Sequence, residues 1–221
     1  MSDKSTKQRV LLIYVLAFYG IWTLWEFWAK DFVNISVENE YLSQFIRSGV
    51  IKNLVWTLPA ILLIHRFSSD MYVLLKDMFL LNANALRYFP ILLLFTVYLL
   101  VGAVLQRGRL SVSETFKFSD LIIVLFVGVT EETVFRGWLL NSTVSEKKKW
   151  LPVIANSLMF LLIHFPVWIH DGVFLASFQN FSFLSPLLLG IIFGWTFIKS
   201  RCIWVPIVLH MYWDLFIFLF Y

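Results

Sequence analysis

Three stretches in the second half of the chain carry side chains able to move protons. They read Val129-Thr130-Glu131-Glu132-Thr133-Val134-Phe135-Arg136-Gly137, Phe160-Leu161-Leu162-Ile163-His164 and His210-Met211-Tyr212-Trp213-Asp214. All three lie in long apolar runs. An ionisable group in such a run costs at least ~2.5–3.5 kcal/mol on insertion scales, so each needs a partner or a task. Glu132 and Arg136 stand four residues apart, share a helix face and can neutralise each other as an intrahelical salt bridge. Glu131 is turned about 100° away from Glu132 and has no partner in its own helix. His164 and His210, on two further helices, are the groups that could reach it. Asp214 follows His210 by four residues and could hold that ring in one tautomer.

This set supports more than one chemistry. A carboxylate to deprotonate water, a histidine to assist it and donors for a developing oxyanion are the parts of peptide hydrolysis. Glu131, His164 and His210 are equally the ligand types of a zinc protease. The usual metalloprotease spacing, two histidines bracketing a glutamate on one helix, is absent. Proton relays in pumps use the same residue types. Against that use, the chain shows no internal repeat and no matching pair of broken helices.

The elements that must position these groups are membrane helices. Of 221 residues, 60% are hydrophobic and only 14% charged, which excludes a soluble domain. The apolar runs are long enough to cross a bilayer and fall near 10–28, 50–65, 88–106, 119–140, 150–168, 183–198 and 202–220. The expected fold is therefore all-α, a polytopic transmembrane bundle of about seven spans, with no room for a separate soluble domain. Residues 1–118 would supply about three spans with interfacial segments, and 119–221 the helices that carry the polar cluster. Pro59 should kink the second span without ending it. Between the second and third spans, Met71, Val73, Leu74, Leu75 and Phe79 alternate with Asp70, Lys76 and Asp77. That stretch reads either as an interfacial amphipathic helix or as an ordinary loop. The first span lacks a small-residue cleavage site and is expected to stay as an anchor. Trp25, Trp28, Trp150, Trp168, Trp204 and Tyr221 near span ends fit an aromatic belt.

Basic residues set the expected orientation. With the N-terminus cytoplasmic, the inner segments hold Lys4, Lys7, Arg9, Arg66, Lys76, Arg87, Lys147, Lys148, Lys149, Lys199 and Arg201. The outer ones hold fewer: Lys30, Arg47, Lys52, Arg107, Arg109 and Lys117. The expectation is a multi-pass protein of the cell membrane with its C-terminus outside.

Glu-Glu-x-x-x-Arg, then Phe-x-x-x-His, then His-x-x-x-Asn/Asp, in this order on successive helices, resembles the CAAX prenyl endopeptidase and bacteriocin-processing family of intramembrane proteases. Here the motifs are Glu131-Glu132 with Arg136, Phe160 with His164, and His210 with Asp214. The flanks agree: Phe135-Arg136-Gly137 follows the acid pair, and a helix with Gly190 and Gly194 leads to Trp204-Val205-Pro206. The resemblance implies an endopeptidase in which Glu131 and His164 activate water, His210 and Asp214 stabilise the oxyanion, and Arg136 braces the acid pair. It implies no catalytic metal, zinc on Glu131, His164 and His210 being the alternative. Asparagine is the residue expected at position 214 in the prenyl-protein proteases, and an ionised aspartate there could not donate to an oxyanion. The expected partners are membrane lipid and a peptide or protein substrate, not nucleic acid. Bacterial members mature peptides such as pheromones and bacteriocins or confer immunity to them. The alternative is thus a membrane immunity or binding protein that keeps the fold without turnover.

Overall fold

A computed structural model describes residues 3–81 and 83–221, and among them the chain is helical with no strand. In chain order the long helices are α1 (Ser5–Ser36), α2 (Glu40–Arg66), α3 (Leu86–Arg107), α4 (residues 120–143), α5 (Trp150–His170), α6 (Leu184–Ser200) and α7 (Trp204–Phe220). Four of them, α1, α2, α3 and α5, are long and apolar enough to cross a bilayer. Helices α6 and α7 are apolar but shorter, and α4 is interrupted by Asp120, Glu131, Glu132 and Arg136. The bundle turns apolar side chains outward as well as inward. Leu93, Leu94, Val97 and Leu105 of α3 are all exposed, a pattern that water would penalise and lipid would not.

Each apolar run read from the sequence falls on one of these helices, with differences at the ends. α1 and α2 run well beyond the stretches at 10–28 and 50–65. The added part of α1 is held by Glu26, which is buried and paired with Lys30 at 2.8 Å on the next turn. Pro59 does not end α2. A π-helical segment, Asn53–Thr57, precedes it, and Pro59 then sits in the first turn of Leu58–Arg66, where its missing N–H costs least. The stretch around 70–79 is not one amphipathic helix: two short turns, Ser68–Asp70 and Leu75–Met78, flank extended backbone. Asn141 pins that backbone from α4, accepting from the Val73 N–H at 2.7 Å and donating to the Val73 carbonyl at 3.0 Å. Met71, Val73 and Met78 are consequently buried in the core, not laid on an interface.

Lipid tails are as apolar as leucine, so close packing and hydrogen bonds must hold the helices together. Aromatic rings do much of the packing. Trp22 meets Trp56 at 5.1 Å, Phe18 meets Phe135 at 5.7 Å, and Phe135 meets Phe160 at 5.3 Å, all edge to face. These contacts tie α1, α2, α4 and α5 into one cluster of buried side chains. A second cluster, including Phe95, Leu189, Phe193 and Leu209, joins α3, α6 and α7.

Two glycines permit close approaches between helices that carry the polar cluster. A methyl group on Gly128 of α4 would lie 2.8 Å from Met211 Cγ of α7. One on Gly190 of α6 would lie 2.8 Å from Ser157 Oγ and 2.9 Å from Ser157 Cα of α5, with the backbone in the way. Gly190→Ala should therefore destabilise the fold by ~1–3 kcal/mol through overpacking. Gly20→Ala, where nothing lies within 4 Å, should be neutral. Thermal unfolding of the two variants in detergent checks this; equal melting temperatures would refute it.

Candidate active site

The polar cluster is built around Glu132 and Arg136 of α4, whose side chains are wholly buried. Arg136 Nη1 donates to Glu132 Oε1 at 3.0 Å, the i,i+4 salt bridge expected from their spacing. Arg136 Nη2 donates across to the Gly190 carbonyl of α6 at 3.1 Å. The guanidinium lies 4.5 Å from the ring centre of Phe160 and 5.4 Å from that of Phe193. Those rings offer the cation π-electron density in place of water.

Glu132 has a second partner that its position in the sequence did not reveal. Its Oε1 lies 2.8 Å from Nδ1 of His210 on α7. A carboxylate already paired with an arginine can only accept, so Nδ1 carries a proton. Asp214 approaches the opposite nitrogen, with Oδ2 3.5 Å from Nε2. The group that fixes the ring is thus Glu132 and not Asp214. Phe193 stacks on the imidazole at 5.1 Å and Phe160 presents its edge at 5.7 Å. Held on three sides, His210 directs Nε2 toward Glu131, whose Oε2 is 3.9 Å away.

His164 is oriented by a different device. Pro166 has no N–H for the Leu162 carbonyl, and its ring crowds that turn. The hydrogen-bond ladder of α5 is accordingly interrupted at Ile163, between Trp150–Leu162 and His164–His170, although Ile163 keeps helical dihedrals. An open turn at membrane depth leaves carbonyls that must find donors. The Trp22 indole N–H donates to the Ile163 carbonyl at 2.9 Å, and the Tyr19 hydroxyl to the Met159 carbonyl at 2.6 Å. His164 Nδ1 lies 3.0 Å from the Phe160 carbonyl. A carbonyl accepts only, so this nitrogen also carries a proton, leaving Nε2 with a free lone pair.

Glu131 and His164 line the same cavity, of about 440 Å³, whose wall also includes Trp22, Trp25, Glu26, Lys30, Arg47 and Lys52. Glu131 and Glu132, adjacent in the sequence, have opposite surroundings. Glu132 is sealed, whereas the Glu131 side chain keeps 11% of its surface open. What sequence reasoning missed is the contribution of α1 and α2, which close the cavity with aromatic and charged residues. The polar side chains inside the extended apolar helices, Glu26 and Lys52, were the available signal. Among the described residues no three His, Cys, Asp or Glu side chains gather as a ligand group; with Nδ1 engaged, His164 and His210 each keep Nε2 as the nitrogen that could ligate.

Residues 114–216 match the family model for type II CAAX prenyl endopeptidases, Rce1-like. The matched segment contains Glu131, Glu132, Arg136, Phe160, His164, His210 and Asp214, whereas the cavity wall from α1 and α2 lies outside it. No curated protein and no solved structure matches the chain.

Removing one member of a buried ion pair leaves the other charge uncompensated. Arg136→Met should cost about 3–5 kcal/mol of stability, and adding Glu132→Gln to it should restore part of the loss. Denaturant unfolding of the single and double variants measures this coupling. Additive losses would show that the two groups do not act as a pair.

Proposed function

From the membership of residues 114–216 in the Rce1-like family of CAAX-type proteases, we propose that this membrane protein is an intramembrane endopeptidase of the glutamic type. It hydrolyses a peptide bond in a membrane-associated peptide or protein. The observation that carries this reading is the shared cavity: Glu131 and His164, from separate helices, open onto one space. In that cavity a water molecule and a peptide carbonyl can meet.

In the proposed reaction the Glu131 carboxylate takes a proton from water, and the Nε2 lone pair of His164 assists. The hydroxide adds to the carbonyl carbon of the scissile bond. Doubly protonated, His210 keeps Nδ1–H on Glu132 and offers Nε2–H to the oxyanion that forms. Collapse of the tetrahedral intermediate breaks the C–N bond, and the proton held by Glu131 passes to the departing amine. Asp214, with Oδ2 3.5 Å from Nε2, supplies negative charge that favours the doubly protonated ring which Glu132 orients; an ionised aspartate cannot itself donate to an oxyanion. Glu132, Arg136 and Phe160 hold the two histidines in place. Residues 119–221 form the catalytic unit, and residues 1–118 supply the facing wall. The seven long helices all cross the cell membrane in this reading, with the N-terminus cytoplasmic and the C-terminus outside.

Wild type and Glu131→Gln, expressed to equal levels, should differ in the peptides released from membranes and into the medium. Glutamine keeps the shape of the side chain but cannot act as a base, so turnover should fall by about 10²–10⁴-fold. Mass spectrometry of both fractions should show peptides that vanish in the variant and persist when a zinc chelator is added to the wild type. Identical profiles would leave a binding or immunity role, and loss on chelation would return zinc to the mechanism.

A further inference from the structure

We propose that a groove between the first halves of α1 and α5 and the end of α4 binds one phospholipid of the surrounding leaflet. Its phosphate would sit on Lys7 and an acyl chain would lie along Leu11, Leu151 and Ala155. The groove shares no lining residue with the cavity of Glu131 and His164, and the inference does not depend on the protease reading.

The groove follows from how α1 meets α5. The two helices run side by side in the same sense, because Tyr19 reaches the Met159 carbonyl at 2.6 Å and Trp22 the Ile163 carbonyl at 2.9 Å. Toward their starts they part around two adjoining cavities. The deeper one, of about 160 Å³, is walled by Leu11 of α1, Leu139 of α4, and Leu151, Ala155 and Met159 of α5. The other, of about 240 Å³, is lined by Lys7, Gln8 and Ser142. Leu11 and Thr143 line both, so the two form one groove. Leu151 and Ala155 are exposed, which leaves its long side open to the membrane.

Length and polarity both select a lipid. From Lys7 to Tyr19 the helix rises about 18 Å, against roughly 15 Å for the hydrocarbon half of one leaflet. The Tyr19–Met159 bond therefore closes the groove about one acyl chain away from its mouth. At the mouth, Lys7 Nζ donates to the Asp70 carbonyl at 2.8 Å and makes no ion pair among the described residues. Two ammonium N–H groups remain for a phosphate oxygen. Ser142 donates to the Trp138 carbonyl at 2.6 Å and Thr143 to the Leu139 carbonyl at 3.0 Å, so both present lone pairs to a hydroxylated headgroup. Deeper in, the Asn156 amide N–H donates to the Phe135 carbonyl at 2.9 Å, and its neighbours along the wall are apolar. A peptide laid there would lack partners for its backbone amides, whereas an acyl chain needs none.

The experiment uses the full chain, delipidated in a non-ionic detergent and titrated with dioleoyl phosphatidylglycerol or dioleoyl phosphatidylcholine. Native mass spectrometry counts the bound lipid. The first phosphatidylglycerol should bind about fivefold or more tighter than the first phosphatidylcholine, as one lysine beside an anionic headgroup provides. Lys7→Gln, a change at the partly exposed mouth, should remove that preference. Ala155→Phe fills the groove and should remove the first site for both lipids. Leu94→Phe, at an exposed position of α3, should leave it. Thermal unfolding checks that the variants are folded: phosphatidylglycerol should raise the melting temperature of wild type and Leu94→Phe but not that of Ala155→Phe. A headgroup preference that survives Lys7→Gln, or a first site that survives Ala155→Phe, would overturn the proposal. So would a dimer that forms without bound lipid and is lost in Ala155→Phe, since the groove would then belong to a second copy of the chain.

Discussion

Glu132 is shared between Arg136 and His210, and the rest of the polar arrangement depends on that sharing. A carboxylate and a guanidinium sealed at membrane depth must satisfy each other, because neither water nor lipid will. Their pairing on adjacent turns of α4 makes the charge affordable and at the same time commits one carboxylate oxygen to a fixed position. His210 of α7 meets that oxygen, and the Gly190 carbonyl of α6 meets the far side of the guanidinium. Three helices are thereby registered against one another by one ion pair. The rings of Phe160 and Phe193 exclude solvent around it and pack against both the cation and the imidazole.

The other half of the site is positioned by a defect. Pro166 interrupts the ladder of α5 at Ile163, and carbonyls freed in a membrane require donors from elsewhere. Trp22 and Tyr19 of α1 supply them. One consequence is that the N-terminal helix determines where His164 sits. Trp22 also carries Lys52 on its face and forms part of the cavity wall. The segment with the recognisable motifs is therefore completed by helices without any.

Much of this was legible in the sequence, for identifiable reasons. Membrane helices announce themselves by long apolar runs, and acids or histidines within them stand out because their cost is high. The i,i+4 spacing gave the Glu132–Arg136 pair directly, and helix geometry separated Glu131 from it. Contacts between helices were not legible. Spacing offered Asp214 as the partner of His210 because both lie on α7, whereas Glu132, on another helix, holds the ring at 2.8 Å. The stretch at 70–79, left open between an interfacial helix and a loop, was undecided for a related reason. Its alternating apolar residues suit an interface, but Asn141 draws its backbone into the core.

The central claim is that two adjacent glutamates have been divided between structure and chemistry. The most direct test is the stability of Glu131→Gln beside that of Glu132→Gln, measured by thermal unfolding under identical conditions. Glu132→Gln should melt well below wild type, because it strips the charge from a pair with no other compensation. Glu131→Gln should melt at or above the wild-type temperature, as expected when a group kept for function at a cost in stability is neutralised. If Glu131→Gln proved as destabilised as its neighbour, Glu131 would be another structural member of the cluster, and the division on which this account rests would be wrong.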